Sequence, residues 1–552
     1  MTATTAKPEV FTRKASGLVR VMSPLSAFIY NILTMGLIFP WTYLWAPGAL
    51  PGGKLVWGIL LAMLIEIPIA LVYVWFSTAL PRSGGDYVFQ SRVFGGGIAF
   101  TVVMSGYVIW ILQWVALSGW LVSYLGFAPL FLGLGATLNS PAFSNIGVWF
   151  TQPIGIVIMS ILNATLAAYI LVTGFKNYVK LQNYMIAAVA VAFLTTLIVL
   201  FTTDPATVPE KLNAFSVAAG GSANFYQEAI DAVVAAGIDI KPAFSLINTL
   251  LVAPIAWTSL QWATYSAQQN GEIKDARNFK SQMFIIVGSL IVTGILLALL
   301  AVGLEKVIGS EFLYVAGAGY WSLIPEANIA GFNLWPPILA VALTGSPIVV
   351  LLISIGYILN GHQIVHNCYI GMTRVMVAMS LDRLLPEWIS RVNERFHTPV
   401  NAHLAYLLAS IPVILAYNLV PGWVGLTLGV TFACGYVFVI SCIGGILLPY
   451  RAKDVYEASP GAKYKLGNIP LVVIFGVLGG VAGILMVLAF LLNPSLGVLG
   501  NWNFEDFPKN LWSQIIAFGI IVLSAAWYAI VKRAQSAKGI NVDYAFKEIP
   551  PE

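Results

Sequence analysis

One acidic side chain stands deep inside an apolar run. Glu66 lies in the stretch LLAMLIEIPIALVY, where the residues on both sides are apolar. A carboxyl group at such depth is costly in lipid, and intramembrane ionisable groups commonly mark ion or proton pathways. Glu66 is therefore expected to bind a coupling proton. The alternative is a structural glutamate, protonated or hydrogen-bonded beside Pro68.

Histidines and cysteines offer the other reactive groups. His362 and His366 are four residues apart and can share one helix face, but the sequence suggests no third ligand. We interpret both as helix-surface histidines at the end of a span. Cys368, Cys434 and Cys442 lie in or beside apolar runs and are interpreted as small core residues. Neither a metal nor a cofactor is predicted.

The composition indicates which elements must position these groups. The chain is 59% hydrophobic and 9% charged, whereas a soluble domain has about 25% charged residues. Apolar runs of about 20 residues indicate membrane-spanning helices. The sequence therefore predicts an all-α polytopic membrane protein with twelve transmembrane helices. They lie roughly at 23–45, 55–80, 97–125, 153–173, 183–203, 244–267, 282–303, 335–361, 401–419, 422–448, 469–492 and 511–532.

The basic residues predict the orientation of these spans. With twelve spans both termini lie on one side, and that side holds 23 of the 28 Lys and Arg residues. The opposite side holds the other five, which are Lys54, Lys211, Lys241, Lys306 and Lys509. The positive-inside rule places both termini in the cytoplasm. The protein is therefore expected to be a multi-pass protein of the cytoplasmic membrane. The net charge of +5 therefore reflects topology, and no nucleic-acid partner is expected.

The spans divide the chain into six parts. These are an N-terminal cytoplasmic tail at 1–22, spans 1–5 at 23–203, an extracellular loop at 204–243, spans 6–10 at 244–450, spans 11–12 at 451–532 and a C-terminal cytoplasmic tail at 533–552. The extracellular loop contains NFYQEAIDAVVAAGI, whose apolar spacing predicts a short surface helix. The uncharged stretch from Gly126 to Gln152 is expected to be a loop at the membrane interface.

Two predicted cytoplasmic loops carry distinctive residues. After span 2 comes PRSGGDYVF, from Pro81 to Phe89. After span 8 comes TRVMVAMSLDRLLPEWISRVNERFHTPVNA, from Thr373 to Ala402. Apolar residues recur there at roughly helical spacing between Leu381 and Val392, which predicts an amphipathic helix on the membrane surface.

These loops resemble signature loops of the amino acid–polyamine–organocation permeases. In that family the second loop ends in a threonine-proline-valine-asparagine-alanine run, which stands here at Thr398–Ala402. NGEIKDARN after span 6 and LLPYRAKDVYEAS after span 10 are also similar, although the usual asparagine-proline pair of the first is Asp275-Ala276. The resemblance extends over nearly the whole chain.

The resemblance implies a leucine-transporter-type fold, with spans 1–5 and 6–10 as a five-plus-five inverted repeat and two extra helices. It also implies alternating access around a site at the midplane, where spans 1 and 6 are broken. Span 1 contains YNILTMGLIFPW, in which polar residues, a glycine and a proline weaken the helix. We place this break near Leu33–Leu37 and the break of span 6 near Ala256–Leu260.

At such a site, helix ends meet the carboxylate and ammonium of an amino acid. The resemblance gives Trp257 the role of an aromatic lid over the substrate, with packing in the bundle core as the alternative. Gln113 resembles a substrate-contacting asparagine, or else it ties two helices together. The expected substrate-binding residues are Asn31, Thr34, Met35, Gly36, Gln113, Trp257, Thr258, Ser259, Gln261 and Tyr357.

The predicted function is secondary active transport of amino acids, proton-coupled or exchanging. Glu66 is the one carboxylate expected at depth, so a neutral or apolar amino acid is favoured over a cationic one. Polyamines, cationic amino acids and other organic amines are the alternative, and a channel or membrane enzyme the remote one. The expected coupling ion is H⁺ or Na⁺. The protein is expected to be a monomer or a homodimer. The lipid bilayer is the only other expected partner.

Overall fold

The computed structural model describes residues 17–37, 41–420, 423, 426, 429–496 and 507–547. Within them the chain is almost entirely helical. The helices are α1 (Pro24–Met35), α2 (Trp41–Ala49), α3 (Leu55–Ala79), α4 (Gly85–Phe94), α5 (Gly96–Thr137), α6 (Pro141–Trp149), α7 (Pro153–Val172), α8 (Phe175–Thr202), α9 (Val208–Ala218), α10 (Phe225–Ala235), α11 (Leu246–Leu260), α12 (Phe279–Val307), α13 (Ser310–Trp321), α14 (Pro336–Ala342), α15 (Pro347–Leu381), α16 (Val400–Leu419), α17 (Gly429–Arg451), α18 (Lys453–Glu457), α19 (Leu471–Leu492) and α20 (Phe507–Ala537). A two-stranded hairpin of β1 (Lys465–Leu466) and β2 (Ile469–Pro470) precedes α19.

Ten of the described helices are long and apolar enough to cross a membrane, which makes this a multi-pass α-helical membrane protein. They are α3, α5, α7, α8, α12, α15, α16, α17, α19 and α20. The helices of the predicted spans 1 and 6 are shorter, because α1 has 12 residues and α11 has 15.

The chain leaves helical geometry at the predicted point of span 1. Helix α1 begins with the side chain of Ser23 accepting a hydrogen bond from the Ser26 amide, and it ends at Met35. Gly36 follows with φ 75° and ψ 96°, a left-handed conformation that glycine adopts without a steric penalty. The rest of the predicted opening stretch, residues 38–40, lies outside the described residues, and α2 begins at Trp41.

Span 6 changes geometry later than predicted. Helix α11 stays α-helical through Ala256–Leu260, even with Pro254 inside it. The chain then tightens into 3-10 geometry between Gln261 and Glu272, with a kink at Gln269, where φ is −114° and ψ is 27°; we call residues 261–272 the 3-10 segment. Because 3-10 runs longer than a few residues are uncommon, this segment is the irregular half of span 6.

The sequence predicts span 8 as one helix at 335–361. This prediction is wrong in two respects, because the helix is interrupted and its second part ends twenty residues later. The chain breaks after α14, and Ser346 and Pro347 then begin α15, which continues to Leu381. The residues beyond 361 were assigned to no span because many are polar, yet they are buried and hydrogen-bonded to neighbouring helices. The two histidines therefore lie in the middle of α15 and not on its surface, since His366 is fully buried.

Two predicted loop structures are also wrong. In place of an amphipathic helix, residues 382–399 contain a single 3-10 turn, and the apolar Leu384 and Leu385 are buried within the protein. The stretch from Gly126 to Gln152 is helical, because α5 continues to Thr137 and α6 follows. Its glycines allow close packing, and a Cβ added to Gly133 would lie 2.3 Å from the Val341 side chain.

The surface helix in the loop 204–243 is confirmed as α10. Its buried residues, Phe225, Ala229 and Val233, recur every fourth position and form one apolar face. Next to them, Tyr226 stacks on Phe312 of α13 at a ring-centroid distance of 4.4 Å. The loop is therefore packed onto the helical bundle.

Candidate functional site

Asn31 holds the end of α1 against the 3-10 segment. Its side-chain oxygen accepts a hydrogen bond from the Ser266 amide at 2.9 Å. Its side-chain nitrogen donates to the Ser266 hydroxyl at 3.0 Å and to the Ile285 carbonyl at 3.1 Å. The two irregular segments therefore meet as predicted, but the Asn31 amide is occupied by the protein itself.

Thr34 lies one turn further and belongs to a second polar cluster. Its hydroxyl donates to the Tyr30 carbonyl at 2.6 Å and accepts from the Asn367 side chain at 2.5 Å. The Asn367 oxygen in turn accepts from Tyr178 at 2.7 Å and from Gln363 at 2.9 Å. This cluster joins α1 to α8 and α15.

A small cavity lies beside Thr34. Its volume, counted as the space that the centre of a water molecule can occupy, is about 10 Å³. The cavity therefore has room for about one water. The 3-10 segment supplies Trp262 and Tyr265, whose rings lie 5.4 Å apart and almost perpendicular. The cavity is therefore too small to hold an amino acid in this conformation. Its lining is Thr34, Ile111, Trp114, Trp262, Tyr265, Ile364, Asn367 and Cys368.

The chemistry of this lining is apolar with a few neutral polar groups. The described residues around the cavity include no aspartate, glutamate, lysine or arginine. The Tyr265 hydroxyl is buried and has no hydrogen-bond partner in the described part of the chain. A cavity of this kind suits an uncharged side chain, with hydroxyl and amide groups to orient a ligand.

The other predicted binding residues are buried nearby but do not line this cavity. Met35 is fully buried, and Ser259 is also buried. The Thr258 hydroxyl donates to the Ile255 carbonyl, so it is used within its own helix. Gln261 donates weakly to the Thr431 hydroxyl at 3.4 Å, while its side-chain oxygen has no partner among the described residues.

Gln113 and Tyr357 point to other neighbours. The Gln113 oxygen accepts a hydrogen bond from the Trp423 indole at 3.0 Å, and this bond links α5 to the chain before α17. Tyr357 is buried in α15 and approaches Thr196 of α8. Ile111 and Trp114, in the same helix turn as Gln113, are the residues there that line the cavity.

Glu66 and Trp257 form a pair apart from the cavity. The Trp257 indole donates to one oxygen of Glu66 at 2.6 Å, and both side chains are fully buried. The second carboxyl oxygen is buried without a hydrogen-bond partner in the described residues. Trp257 packs against Phe438 of α17, with the rings 5.9 Å apart. The pair connects α3 to the helical half of span 6.

Beyond the cavity, the far end of the 3-10 segment is held by charged groups. The Arg374 guanidinium donates to both oxygens of Glu272, at 2.7 and 3.0 Å, and both residues are buried. The Arg374 guanidinium also lies 5.0 Å above the Phe175 ring. Two planar parallel hydrogen bonds make this a geometrically specific pair.

Asp86, which lies in α4 outside the membrane-spanning helices, binds the same segment. It accepts hydrogen bonds from Gln268 and Ser441, both at 2.6 Å, and from Tyr73. Burial raises the pKa of the Asp86 carboxyl, although these hydrogen bonds oppose the increase. Asp86 is therefore a further buried carboxyl group, in addition to Glu66 in the predicted span 2.

Several cavity residues were missed by the sequence reasoning. Asn367 and Cys368 lie beyond the predicted end of span 8, so they were not considered as site residues. Trp262 and Tyr265 follow the predicted break by only a few positions. Their three-residue spacing in QWATY was a signal, because 3-10 geometry places residues i and i+3 on one face.

Comparison with known proteins finds a permease family and relatives that are named as a permease or a transporter. A family model described as amino acid permease matches residues 23–526. The branched-chain amino acid permease BcaP of Bacillus subtilis is 25% identical over 414 residues, which cover 71% of this chain and 76% of that protein. An uncharacterized transporter of Mycobacterium tuberculosis is 26% identical over 368 residues, which are 65% of this chain and 66% of that protein. An uncharacterized protein of Sulfolobus islandicus rod-shaped virus 1 is 31% identical over 102 residues, and this chain covers 26% of its length.

Proposed function

Because this chain belongs to the amino acid permease family, we propose that it carries neutral, apolar amino acids across the cytoplasmic membrane by alternating access. The substrate class is inferred from the cavity beside Thr34, whose lining is mainly aromatic and aliphatic with a few neutral polar groups and includes no acidic or basic residue. A cationic amino acid or polyamine needs a carboxylate partner in a low-dielectric site, since an unpaired buried charge is costly. The name of the Bacillus relative, which specifies branched-chain amino acids, supports the same class.

The proposed architecture has twelve crossings. The ten long helices account for ten of them, α1 with α2 for one, and α11 with the 3-10 segment for another. Spans 1–5 and 6–10 would form the inverted repeat, and α19 and α20 would be the two additional helices. The two irregular segments lie together, as expected for halves related by a pseudo-two-fold axis. Both termini would lie in the cytoplasm, a proposal that the distribution of Lys and Arg supports.

The proposed binding groups follow from helix ends. Helix α1 ends at Met35 before the Gly36 break, so carbonyl groups of its last turn can meet the ammonium group of the substrate. Thr34, Tyr265 and Asn367 would orient the substrate, and Ile111, Trp114 and Ile364 would surround its side chain. Because the cavity holds about one water, admitting an amino acid requires the surrounding helices to separate.

A ligand-stability screen tests the substrate class. The purified protein is heated with each of the twenty amino acids or with spermidine, and the unfolding temperature is measured. Leucine, isoleucine and valine are expected to raise the temperature, because a ligand that binds the folded state stabilises it. Stabilisation by arginine or spermidine alone would contradict the proposal and favour the cationic alternative.

Substitution of Ile364 by phenylalanine tests the position of the substrate side chain. Ile364 is 4% exposed and lines the cavity, so the larger ring is expected to fill the space that a branched side chain needs. Leucine transport should fall roughly tenfold more than alanine transport, since one methylene in a tight pocket alters selectivity by about tenfold or more. Initial uptake rates of the two radiolabelled amino acids measure this ratio.

The matched control for this substitution lies on the same helix. Ile355 is 44% exposed on α15, so Ile355→Phe adds the same ring on the outer surface. We expect it to leave the leucine-to-alanine ratio unchanged. Equal ratios in Ile364→Phe and Ile355→Phe would place the substrate side chain elsewhere.

A further inference from the structure

A basic groove lies where two membrane-spanning helices begin. It is bounded by residues 275–280, which lead into α12, and by residues 460–464, which precede the β hairpin and α19. Its volume is about 560 Å³. Because both α12 and α19 are long and apolar enough to span a membrane, a groove at their first residues would lie near the membrane surface.

The groove carries an excess of positive charge. Arg277, Lys280 and Lys463 line it, and all three are exposed. In the described part of the chain none of the three forms an ion pair, and Asp275 is the one acidic residue of the lining. Three guanidinium or ammonium groups against one carboxylate suit a phosphate-bearing ligand.

The groove is rigidly built. The Trp75 indole donates to the Gly461 carbonyl at 3.0 Å, and a Cβ on Gly461 would lie 2.5 Å from the Trp75 ring. Tyr464 packs on Phe279 with ring centroids 4.6 Å apart, so the two walls contact each other. The Leu471 amide donates to the Tyr464 carbonyl at 3.0 Å, which closes the hairpin.

An exposed apolar tip adjoins the charges. Leu466 and Ile469 are paired across the hairpin, and they are 67% and 51% exposed. Two large aliphatic side chains facing outward beside three cations are poorly suited to water. They are well suited to the boundary between headgroups and acyl chains.

We propose that this groove binds the headgroup of an anionic phospholipid, with Leu466 and Ile469 in contact with its acyl chains. The three basic side chains would contact the phosphate. The exposed apolar tip favours a lipid over a soluble phosphate compound, because only a lipid has acyl chains for it to contact. The proposal does not depend on which substrate the protein carries. Basic pockets between membrane-spanning helices are known physical sites for such headgroups.

The test is native mass spectrometry of the full-length protein in detergent, titrated with phosphatidylglycerol or with phosphatidylcholine of the same acyl chains. Phosphatidylglycerol is expected to bind more tightly. The double variant Arg277→Gln/Lys463→Gln is expected to lose roughly 30-fold in affinity for it, since each basic group near an anionic lipid contributes about fivefold. Arg277→Lys/Lys463→Arg keeps the charges and should keep the binding.

The matched control removes two charges elsewhere. Lys176 and Lys180 are exposed at the start of α8, and Lys176→Gln/Lys180→Gln is expected to leave phosphatidylglycerol affinity unchanged. An equal loss in this control, or no loss in the groove variant, would overturn the proposal. Full displacement of the lipid by equimolar glycerol phosphate would also overturn it, because it would make the groove a soluble-anion site.

Discussion

Replacing Arg374 by glutamine is expected to destabilise the protein by about 3–5 kcal/mol, because it leaves the buried Glu272 carboxylate without its ionic partner. Glu272 and Arg374 are 1% and 0% exposed, so water cannot take over the lost hydrogen bonds. The pair also holds the end of the 3-10 segment on α15. Thermal or denaturant unfolding of the purified variant in detergent measures the loss.

Two further variants separate the ion pair from a general effect of substitution. Lys453 and Glu457 form an exposed pair one helical turn apart, 66% and 61% exposed, and Lys453→Gln is expected to change stability by less than about 0.5 kcal/mol. The double variant Glu272→Met/Arg374→Met removes both buried charges and should recover much of the loss. If Arg374→Gln were as mild as Lys453→Gln, the buried pair would contribute little to the fold.

Glu66→Gln is expected to abolish proton-driven accumulation of substrate while exchange across the membrane continues. Glutamine preserves the size of the side chain and can still accept the hydrogen bond of Trp257, but it cannot carry a proton. With one proton per substrate, an inward gradient of one pH unit should give the unaltered protein about tenfold accumulation. The variant should remain near equal concentrations inside and outside.

The physical reason is the position of Glu66 on α3, where it accepts the hydrogen bond of Trp257 on α11. A charge on a fully buried carboxyl is costly, so gain and loss of a proton would favour different positions of Trp257 and its helix. Glu326→Gln, at an exposed carboxylate between α13 and α14, is the control and should accumulate substrate normally. Full pH-dependent accumulation by Glu66→Gln would show that the carboxyl group is structural.

Membrane-spanning helices could be predicted because a run of about 20 apolar residues has few alternatives in lipid. The break at Gly36 could also be predicted, since the residues that weaken the helix are local in sequence. The length of α15 could not. Residues such as Gln363, Asn367 and Arg374 read as polar loop, and only their buried partners on other helices allow them inside the protein.

Those partners are far away in the sequence. Arg374 meets Glu272 across 102 positions, and Gln113 meets Trp423 across 310. The periodicity of apolar residues in the sequence does not indicate which distant residues form such pairs. For this reason two cavity residues were not predicted. Asn367 and Cys368 line the cavity but lie beyond the predicted end of span 8.

The most direct test of the central claim is counterflow in proteoliposomes. Vesicles containing the purified protein are loaded with unlabelled leucine and diluted into a trace of radiolabelled leucine. We expect a transient accumulation of label above equilibrium, reduced by external isoleucine or valine and unaffected by spermidine. Label that only equilibrates, at a rate independent of internal leucine, would contradict a carrier of apolar amino acids.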